Sequence, residues 1–183
     1  MTLSKLGSPA CVVLTDGDDQ AVSLLQSNLE DPFNQITLQT YKTRLLQWGL
    51  PEVAGFGDWC RKAYEGNDSV GWNTASTPDT PVRFDCIVAG DVMYKSELPV
   101  LFFETVDALL IPSSSNGATT GGVLWLCHVP RATVTHQVVQ SAARNAGFHV
   151  ETVDLSQFPP VQGCPLEDSS RAQVYRITRR RNI

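Results

Sequence analysis

Apolar residues occur in short runs separated by polar turns, and one such run lies near the centre of the chain. Residues 86–89 read Cys-Ile-Val-Ala, between Asp85 and the Gly-Asp pair at 90–91. A strand with one face in water alternates apolar and polar residues, whereas an unbroken apolar run is typical of a strand buried on both faces. The pattern therefore predicts a central, doubly buried strand, with Asp91 and Tyr94 just past its carboxyl end.

The remaining runs predict an alternation of strands and helices. Further strands are expected at Cys11–Leu14, Ile36–Tyr41, Val123–Val129, Phe148–Val153 and Ala172–Thr178. Apolar residues at helical spacing predict helices from Asp18 or Asp19 to Pro32, from Glu97 to Leu110 and from Thr133 to Gly147, and a helix tail at Leu3–Leu6. This alternation indicates right-handed βαβ units in a doubly wound, mostly parallel α/β sheet, with an antiparallel hairpin at the C-terminal end.

Domain organisation follows from length and composition. The 183 residues suit a single domain over 1–183. The stretch at about 57–80 is rich in Gly, Asn, Ser and Thr, and we interpret it as a surface insertion with room for a short helix at Trp59–Tyr64. No internal repeat is visible.

Charge and cysteine content exclude several classes of function. The net charge of −5 gives no general attraction to nucleic acid or anionic lipid, and the apolar runs are too short to span a bilayer. Five cysteines without CxxC spacing argue against a disulfide framework or a metal site. We expect a monomer in a reducing compartment, cytoplasmic or nuclear, with no nucleic-acid or membrane partner.

Three polar positions lie where an open α/β sheet places its ligands, just past the ends of strands. Asp16 could bind both hydroxyls of a ribose, or it could cap the turn that follows it. Trp48, after Gln47, could lie against a flat heterocycle or close the core as a lid. Asp91 and Tyr94 could act on a substrate, or could be a turn-starting acid and a half-buried aromatic. Each position is ambiguous alone.

Other reactive residues have simpler interpretations. Cys127 and His128 are adjacent on a predicted strand and so point to opposite faces, which makes Cys127 a core residue. His136 and His149 are expected at the surface or at helix ends. The arginines at 179–181 are interpreted as a solvated chain end.

The order and spacing of the polar positions are more specific than any one of them. The strings VVLTDGD, LQWG and FDCIVAGDVMY resemble the seven-stranded S-adenosylmethionine-dependent methyltransferases. More narrowly, they are similar to the protein-lysine branch, which includes calmodulin-lysine and elongation-factor-lysine methyltransferases. The resemblance runs from about Cys11 to the final strand. It implies methyl transfer from S-adenosylmethionine to a lysine of a protein partner.

The resemblance also implies a role for each polar position. Asp16 would hold the ribose of the cofactor, and Gln47 and Trp48 would line the adenine pocket. Asp91 and Tyr94 would face the methyl group and the incoming lysine. Gly90 would lie beside the cofactor.

The sequence departs from the family pattern at two places. The family usually has an acid where Gln47 stands. The Gly-rich turn after the first strand, whose backbone N–H groups approach the cofactor, is absent together with that strand. We therefore expect an N-terminally truncated methyltransferase sheet, with its first strand missing between the strands at Cys11–Leu14 and Cys86–Ala89. Such a chain would bind S-adenosylmethionine poorly.

Two other functions stay open. A methyltransferase of this kind could act on another acceptor: a small molecule, arginine, histidine or RNA. Alternatively, the chain could be a non-catalytic binding module that keeps the sheet without the cofactor, which the missing Gly-rich turn favours.

Overall fold

The computed structural model describes residues 11–34, 41–64, 81–112, 121–157 and 171–180. Within these residues the chain forms six strands and four α-helices in alternation, which confirms the predicted α/β class. The chain divides into two compact units, Met1–Val82 and Arg83–Ile183, each with its own sheet. The expectation of a single domain stays a prediction. No helix in the described ranges has the length and apolar character needed to cross a membrane.

The first unit contains a two-stranded parallel sheet and two helices. Its elements are β1 (Val12–Asp16), α1 (Asp19–Glu30), β2 (Tyr41–Leu45) and α2 (Leu50–Ala63). In the sheet, Val12 lies opposite Tyr41 and Asp16 opposite Leu45. The apolar residues of β1 are half-buried rather than fully buried.

Helix α1 begins and ends where its sequence predicts. The carboxylate of Asp18 accepts hydrogen bonds from the backbone N–H groups of Gln20 and Ala21, which otherwise have no partner within the helix. The helix ends at Glu30, two residues before Pro32, which begins a single 3-10 turn.

The next two elements differ from the sequence prediction. Strand β2 occupies Tyr41–Leu45, whereas the strand predicted at Ile36–Tyr41 lies outside the described residues except for Tyr41. Helix α2 continues to Ala63, so the predicted insertion at 57–80 overlaps it over residues 57–63. Within that overlap Cys60 is fully buried, which corrects the start of the insertion; residues 65–80 lie outside the described ranges.

The second unit contains a four-stranded mixed sheet. Its elements are β3 (Cys86–Gly90), α3 (Leu98–Leu109), β4 (Val123–His128), α4 (His136–Asn145), β5 (Phe148–Thr152) and β6 (Gln173–Arg179). The strand order is β3-β4-β6-β5, in which β3 and β4 are parallel and β6 is antiparallel to both of its neighbours. The predicted C-terminal antiparallel pair is confirmed, with β6 inside the sheet and β5 at its edge.

One face of this sheet carries the core of the second unit. Its fully buried residues include Leu124, Leu126 and His128 on β4, and Tyr175 and Ile177 on β6. Helix α3 packs on this face: the ring of Phe103 lies 6.0 Å from that of Phe148 on β5, centroid to centroid. The buried residues of α3 confirm the helical apolar spacing predicted for it.

Strand β3 is buried on one face only, so the prediction of burial on both faces is wrong. Ile87 and Ala89 are half-buried, but Val88 on the other face is 61% exposed, and its partner Trp125 on β4 is 37% exposed. Among the described residues β3 pairs only with β4 and is therefore an edge strand of this sheet.

A close backbone approach fixes where β3 starts. The N–H of Phe84 donates to the carbonyl of Leu109 at 2.7 Å, and the carbonyl of Phe84 accepts from Ile111 at 3.0 Å. Gly122 passes directly beside this pairing, and a Cβ atom there would lie 2.9 Å from the Phe84 oxygen. Glycine at 122 is therefore required by space, and it holds the end of α3 against the starts of β3 and β4.

Candidate functional site

The polar residues of the first unit meet at one edge of its sheet. Asp16 is the last residue of β1, and Gln47 and Trp48 follow the end of β2. Because the two strands are parallel, their carboxyl ends lie side by side. The backbone N–H of Leu46 donates to the carbonyl of Asp16 at 2.9 Å, which joins the two strand ends.

The side chain of Asp16 is both a turn residue and an available acceptor. Its Oδ1 atom accepts the backbone N–H of Asp18 at 3.0 Å, so the turn-capping interpretation holds for that oxygen. The carboxylate is exposed, and its other oxygen has no hydrogen-bond partner among the described residues. Gln47 is exposed and Trp48 is half-buried. A hydroxyl-bearing ligand could therefore reach both the acid and the indole-bearing loop.

The C-terminal end of α2 packs on the opposite end of β1, at its first residue. The hydroxyl of Tyr64 donates to the carbonyl of Val12 at 2.8 Å and ties the end of α2 to β1. Cys60 lies one helical turn earlier and is fully buried. Burial, with a smaller effect from Cys11, raises the pKa of the Cys60 thiol to about 12. Cys60 is therefore a structural residue, since a thiol reacts through its thiolate.

In the second unit the central residue is Asp91, directly after β3. Its φ of 49° makes it the only non-glycine residue with positive φ in the described ranges. Its backbone N–H donates to the carbonyl of Cys127 at 2.8 Å and holds this conformation against the end of β4. A non-glycine residue in the left-handed region is strained by about 1–2 kcal/mol, and such residues cluster at functional sites.

The carboxylate of Asp91 is held by an arginine from the other strand end. Oδ2 of Asp91 forms an ion pair with the guanidinium of Arg131, which follows β4. The backbone N–H of Arg131 donates to the carbonyl of Val134 at 3.0 Å, which fixes the loop that carries it. Oδ1 of Asp91 has no hydrogen-bond partner among the described residues, and the side chain is 42% exposed.

Tyr94 lies in the same loop, between β3 and α3. Its ring is 63% exposed, and Nζ of Lys95 lies 6.0 Å from its centroid. The preceding residue, Met93, is fully buried and anchors the loop. Tyr94 is therefore presented to solvent, as an aromatic surface for a ligand requires.

His128, at the end of β4, is a buried neighbour of the Asp91–Arg131 pair. Its Nε2 atom lies 3.1 Å from the carbonyl of Val134, and because a carbonyl only accepts, Nε2 carries the hydrogen. Nδ1 is buried without a partner in the described part of the chain. Burial lowers the pKa of His128, an effect opposed by the Val134 hydrogen bond and by Asp91. His128 is thus a neutral imidazole at pH 7.

A second polar group lies behind His128. The rings of His128 and His136 meet edge to face, with centroids 5.2 Å apart. Nδ1 of His136 lies 2.9 Å from the hydroxyl of Tyr175, and Nε2 donates to the carbonyl of Arg171 at 3.0 Å. His136 is therefore at a helix end, as predicted, but half-buried in a hydrogen-bonded group rather than at the surface. Among the described residues no group of acidic, cysteine or histidine side chains could hold a metal ion.

The remaining reactive residues have structural roles. Cys127 is half-buried, and its neighbour His128 rather than Cys127 is buried in the core, so the expectation of Cys127 as a core residue is wrong. His149 on β5 is exposed, as predicted. Arg179 is not a solvated chain end: its side chain is half-buried on β6 and forms an ion pair with Asp107 of α3. The last residues, 181–183, lie outside the described ranges.

The residues predicted to hold a cofactor fit that role in part. Asp16 keeps one carboxylate oxygen for a ribose hydroxyl, and Trp48 follows by three residues Leu45, the residue of β2 that is paired with Asp16. At Gly90 a Cβ atom would have no atom within 4 Å, so the backbone there is open to close approach by a ligand. The Gly-rich turn that would bring further N–H groups to the cofactor is absent from the sequence.

Comparisons with known proteins leave the family open. No family model matches the chain, and no curated protein matches it. Among solved structures, precorrin-6y C5,15-methyltransferase from Geobacter metallireducens GS-15 is similar over 91% of this chain and 76% of its own, at 15% identity and a TM-score of 0.33. At that TM-score the likeness supports no conclusion about this chain. The α/β class therefore rests on the strands and helices themselves.

Arg131 is the functional residue that the sequence interpretation missed. It is 40 residues from Asp91, and only the parallel pairing of β3 with β4 brings the two strand ends together. A signal was present, because a polar segment follows each of two neighbouring strands. Because β3 and β4 are parallel neighbours, the residues that follow them lie at one site, and a prediction of that pairing would have brought Asp91 and Arg131 together.

Proposed function

We propose that this protein transfers a methyl group from S-adenosylmethionine to the side-chain amine of a protein lysine. The observation that carries the proposal is Asp91: a strained, partly exposed carboxylate at the end of a parallel strand, with one oxygen available to a ligand. The Asp-x-x-Tyr spacing to the exposed Tyr94 supports an acceptor site for an amine on an aliphatic chain. The partner is a protein, and we propose a monomer in the cytosol or nucleus.

The work left to the chain is alignment. When bound, S-adenosylmethionine supplies a methyl group on a positively charged sulfur, which is already a reactive donor. Oδ1 of Asp91 would accept a hydrogen bond from the lysine amine and orient its lone pair. The ring of Tyr94 would line the path of the lysine chain and exclude water. In the first unit, Asp16 and Trp48 would hold the ribose and adenine.

A dedicated strong base is not required for this reaction. The lysine can lose its proton to water before it attacks. His128 is not suited to the task, since its only lone pair, on Nδ1, is buried away from solvent. The division of roles is therefore simple: Asp16 acts on the cofactor and Asp91 on the acceptor.

A non-catalytic binding module is the second candidate. The ion pair that occupies one oxygen of Asp91 favours it. The module and the enzyme differ in one measurable respect, because only the enzyme transfers a methyl group.

The test is labelling of a cell lysate by the purified chain with millimolar S-adenosylmethionine that carries a trideuterated methyl group. We expect mass spectrometry to find the label on the Nε atom of lysine in a small set of proteins, and to find it strongly reduced with Asp91→Ala. Label on another atom type would identify a different acceptor. Absence of label at every cofactor concentration would overturn the enzyme proposal in favour of the binding module.

A further inference from the structure

The Asp91 site carries almost no net charge, because its acid is paired. Oδ2 of Asp91 is bound by the guanidinium of Arg131, while Oδ1 is available to accept a hydrogen bond. Arg131 keeps its positive charge at physiological pH, so it compensates the charge of Asp91 throughout that range. A ligand at Oδ1 therefore meets a hydrogen-bond acceptor whose negative charge is already compensated by its neighbour.

This compensation bears on which form of an amine binds. An isolated carboxylate attracts an ammonium group more strongly than a neutral amine, and thereby stabilises the unreactive, protonated form of lysine. A paired carboxylate still accepts N–H hydrogen bonds but attracts a cation much less. We propose that Arg131 is a specificity-determining residue that makes the Asp91 site select an uncharged amine over an ammonium ion; this rests on the proposed function.

The other charged and titratable groups around the pair do not restore a negative charge. On β4, His128 is a buried neutral imidazole, and on α4 His136 lies behind it. In the loop after β3, Lys95 adds a second cation over the ring of Tyr94. Among the described residues, Arg131 is the charged group in ion-pair contact with Asp91.

The selection matters because only the neutral amine can react. Its lone pair forms the new N–C bond while the electrons of the S–C bond return to sulfur, which becomes a neutral thioether. The nitrogen becomes a methylated ammonium and later releases its proton to water. An ammonium group has no lone pair to donate, so a site that collected ammonium would bind lysine without methylating it.

A binding experiment tests the selection without any methyl transfer. n-Butylammonium imitates the end of a lysine side chain, and n-butanol is an uncharged hydrogen-bond donor of equal chain length. Both are titrated into the full chain while the backbone amide of Asp91 is followed by NMR. Arg131→Met should increase the affinity for n-butylammonium by about two- to fivefold, the range expected from loss of an exposed ion pair. The affinity for n-butanol should not change.

The chain offers a matched control. Arg176 forms an ion pair with Glu151 across β5 and β6, and its side chain is 46% exposed against 45% for Arg131. Arg176→Met removes an equal charge from an ion pair whose arginine is as exposed as Arg131, and it should change neither titration. Arg131→Lys should restore the parent affinities. The proposal would be overturned if Arg131→Met increased the affinity for both probes or for neither. It would also be overturned if Arg176→Met increased the affinity for n-butylammonium equally.

A second arm measures methyl transfer to lysine against pH. In Arg131→Met the bound lysine should retain its proton to higher pH, so the rising limb should move by the logarithm of the change in n-butylammonium affinity, about 0.3–0.7 pH unit. An unmoved limb in an active variant would contradict the proposal. If no variant transfers methyl at any pH while the binding arm holds, the proposed reaction fails but the charge selection stands.

Discussion

Replacing Asp91 by glycine tests whether the left-handed backbone conformation of Asp91 costs the protein stability. Glycine adopts a φ of 49° without steric penalty, so the substitution should recover about 1–2 kcal/mol of backbone strain. It also removes the exposed ion pair with Arg131, which is worth about 0.2–1 kcal/mol. Glycine also costs about 0.5–1 kcal/mol in backbone entropy, so the free energy of unfolding should lie between about 1 kcal/mol below and about 1.3 kcal/mol above that of the parent.

The same substitution at Asp16 provides the control. Asp16 also ends a strand, but its φ is not positive. Glycine there costs about 0.5–1 kcal/mol in backbone entropy and removes a side-chain hydrogen bond worth about 1 kcal/mol. In urea unfolding followed by circular dichroism, Asp16→Gly should therefore lower the free energy of unfolding by about 1.5–2 kcal/mol, which is more than any loss expected for Asp91→Gly. Equal destabilisation by both would refute the strain argument.

Three further predictions concern the supporting structure. Gly122→Ala should destabilise the fold by about 1–3 kcal/mol, because a methyl group there meets a backbone oxygen at 2.9 Å. Gly55→Ala, where a Cβ atom on α2 meets nothing within 4 Å, should be neutral or stabilising, and thermal unfolding compares the two variants. Burial lowers the pKa of His128 below 6.5, so the unfolded chain takes up a proton that the folded chain does not. The free energy of unfolding should therefore decrease as pH falls below 6.5, by up to about 1.4 kcal/mol per pH unit. In urea titrations at several pH values, His128→Asn should reduce this pH dependence, and His149→Asn should not. Tyr64→Phe should lower the free energy of unfolding by about 1 kcal/mol in urea, because it removes only the hydroxyl that bonds β1, and an unchanged value would show that water replaces the bond.

The sequence predicts those elements whose burial follows the local pattern. Helix α3 and strand β4 lie within a few residues of their predicted bounds, because their apolar spacing corresponds to real burial against one sheet face. The cap at Asp18 and the stop at Gly147, with a φ of 85°, were also readable, since each depends on a single residue type.

The elements that were missed have local sequences that conceal their structure. Helix α2 contains Pro51, Gly55 and Gly57, which lower helix propensity, yet the proline is in the first turn where it is tolerated. Strand β2 reads Tyr-Lys-Thr-Arg-Leu, too polar to stand out from a loop. Helix α2 is decided by burial of Phe56 and Cys60 and strand β2 by its pairing with β1, and a single segment reveals neither.

The candidate site was predictable as a set of positions but not as an arrangement. Asp91, Tyr94 and Asp16 lie just past strand ends, as expected. The exposure of Val88 and the ion pair to Arg131 depend on which strand lies beside β3, which is a long-range property of the sheet.

Paired alanine substitutions test the proposed division of roles, in which Asp16 acts on the cofactor and Asp91 on the acceptor. Calorimetry measures binding of S-adenosylmethionine, and transfer of a labelled methyl group to lysine is measured on the same samples. Asp16→Ala should weaken cofactor binding by the loss of a charged acceptor, about 1.5–3 kcal/mol, while Asp91→Ala should leave binding nearly unchanged and reduce transfer at least tenfold. Equal losses of cofactor affinity in both variants, or full methyl transfer by Asp91→Ala, would contradict this division of roles.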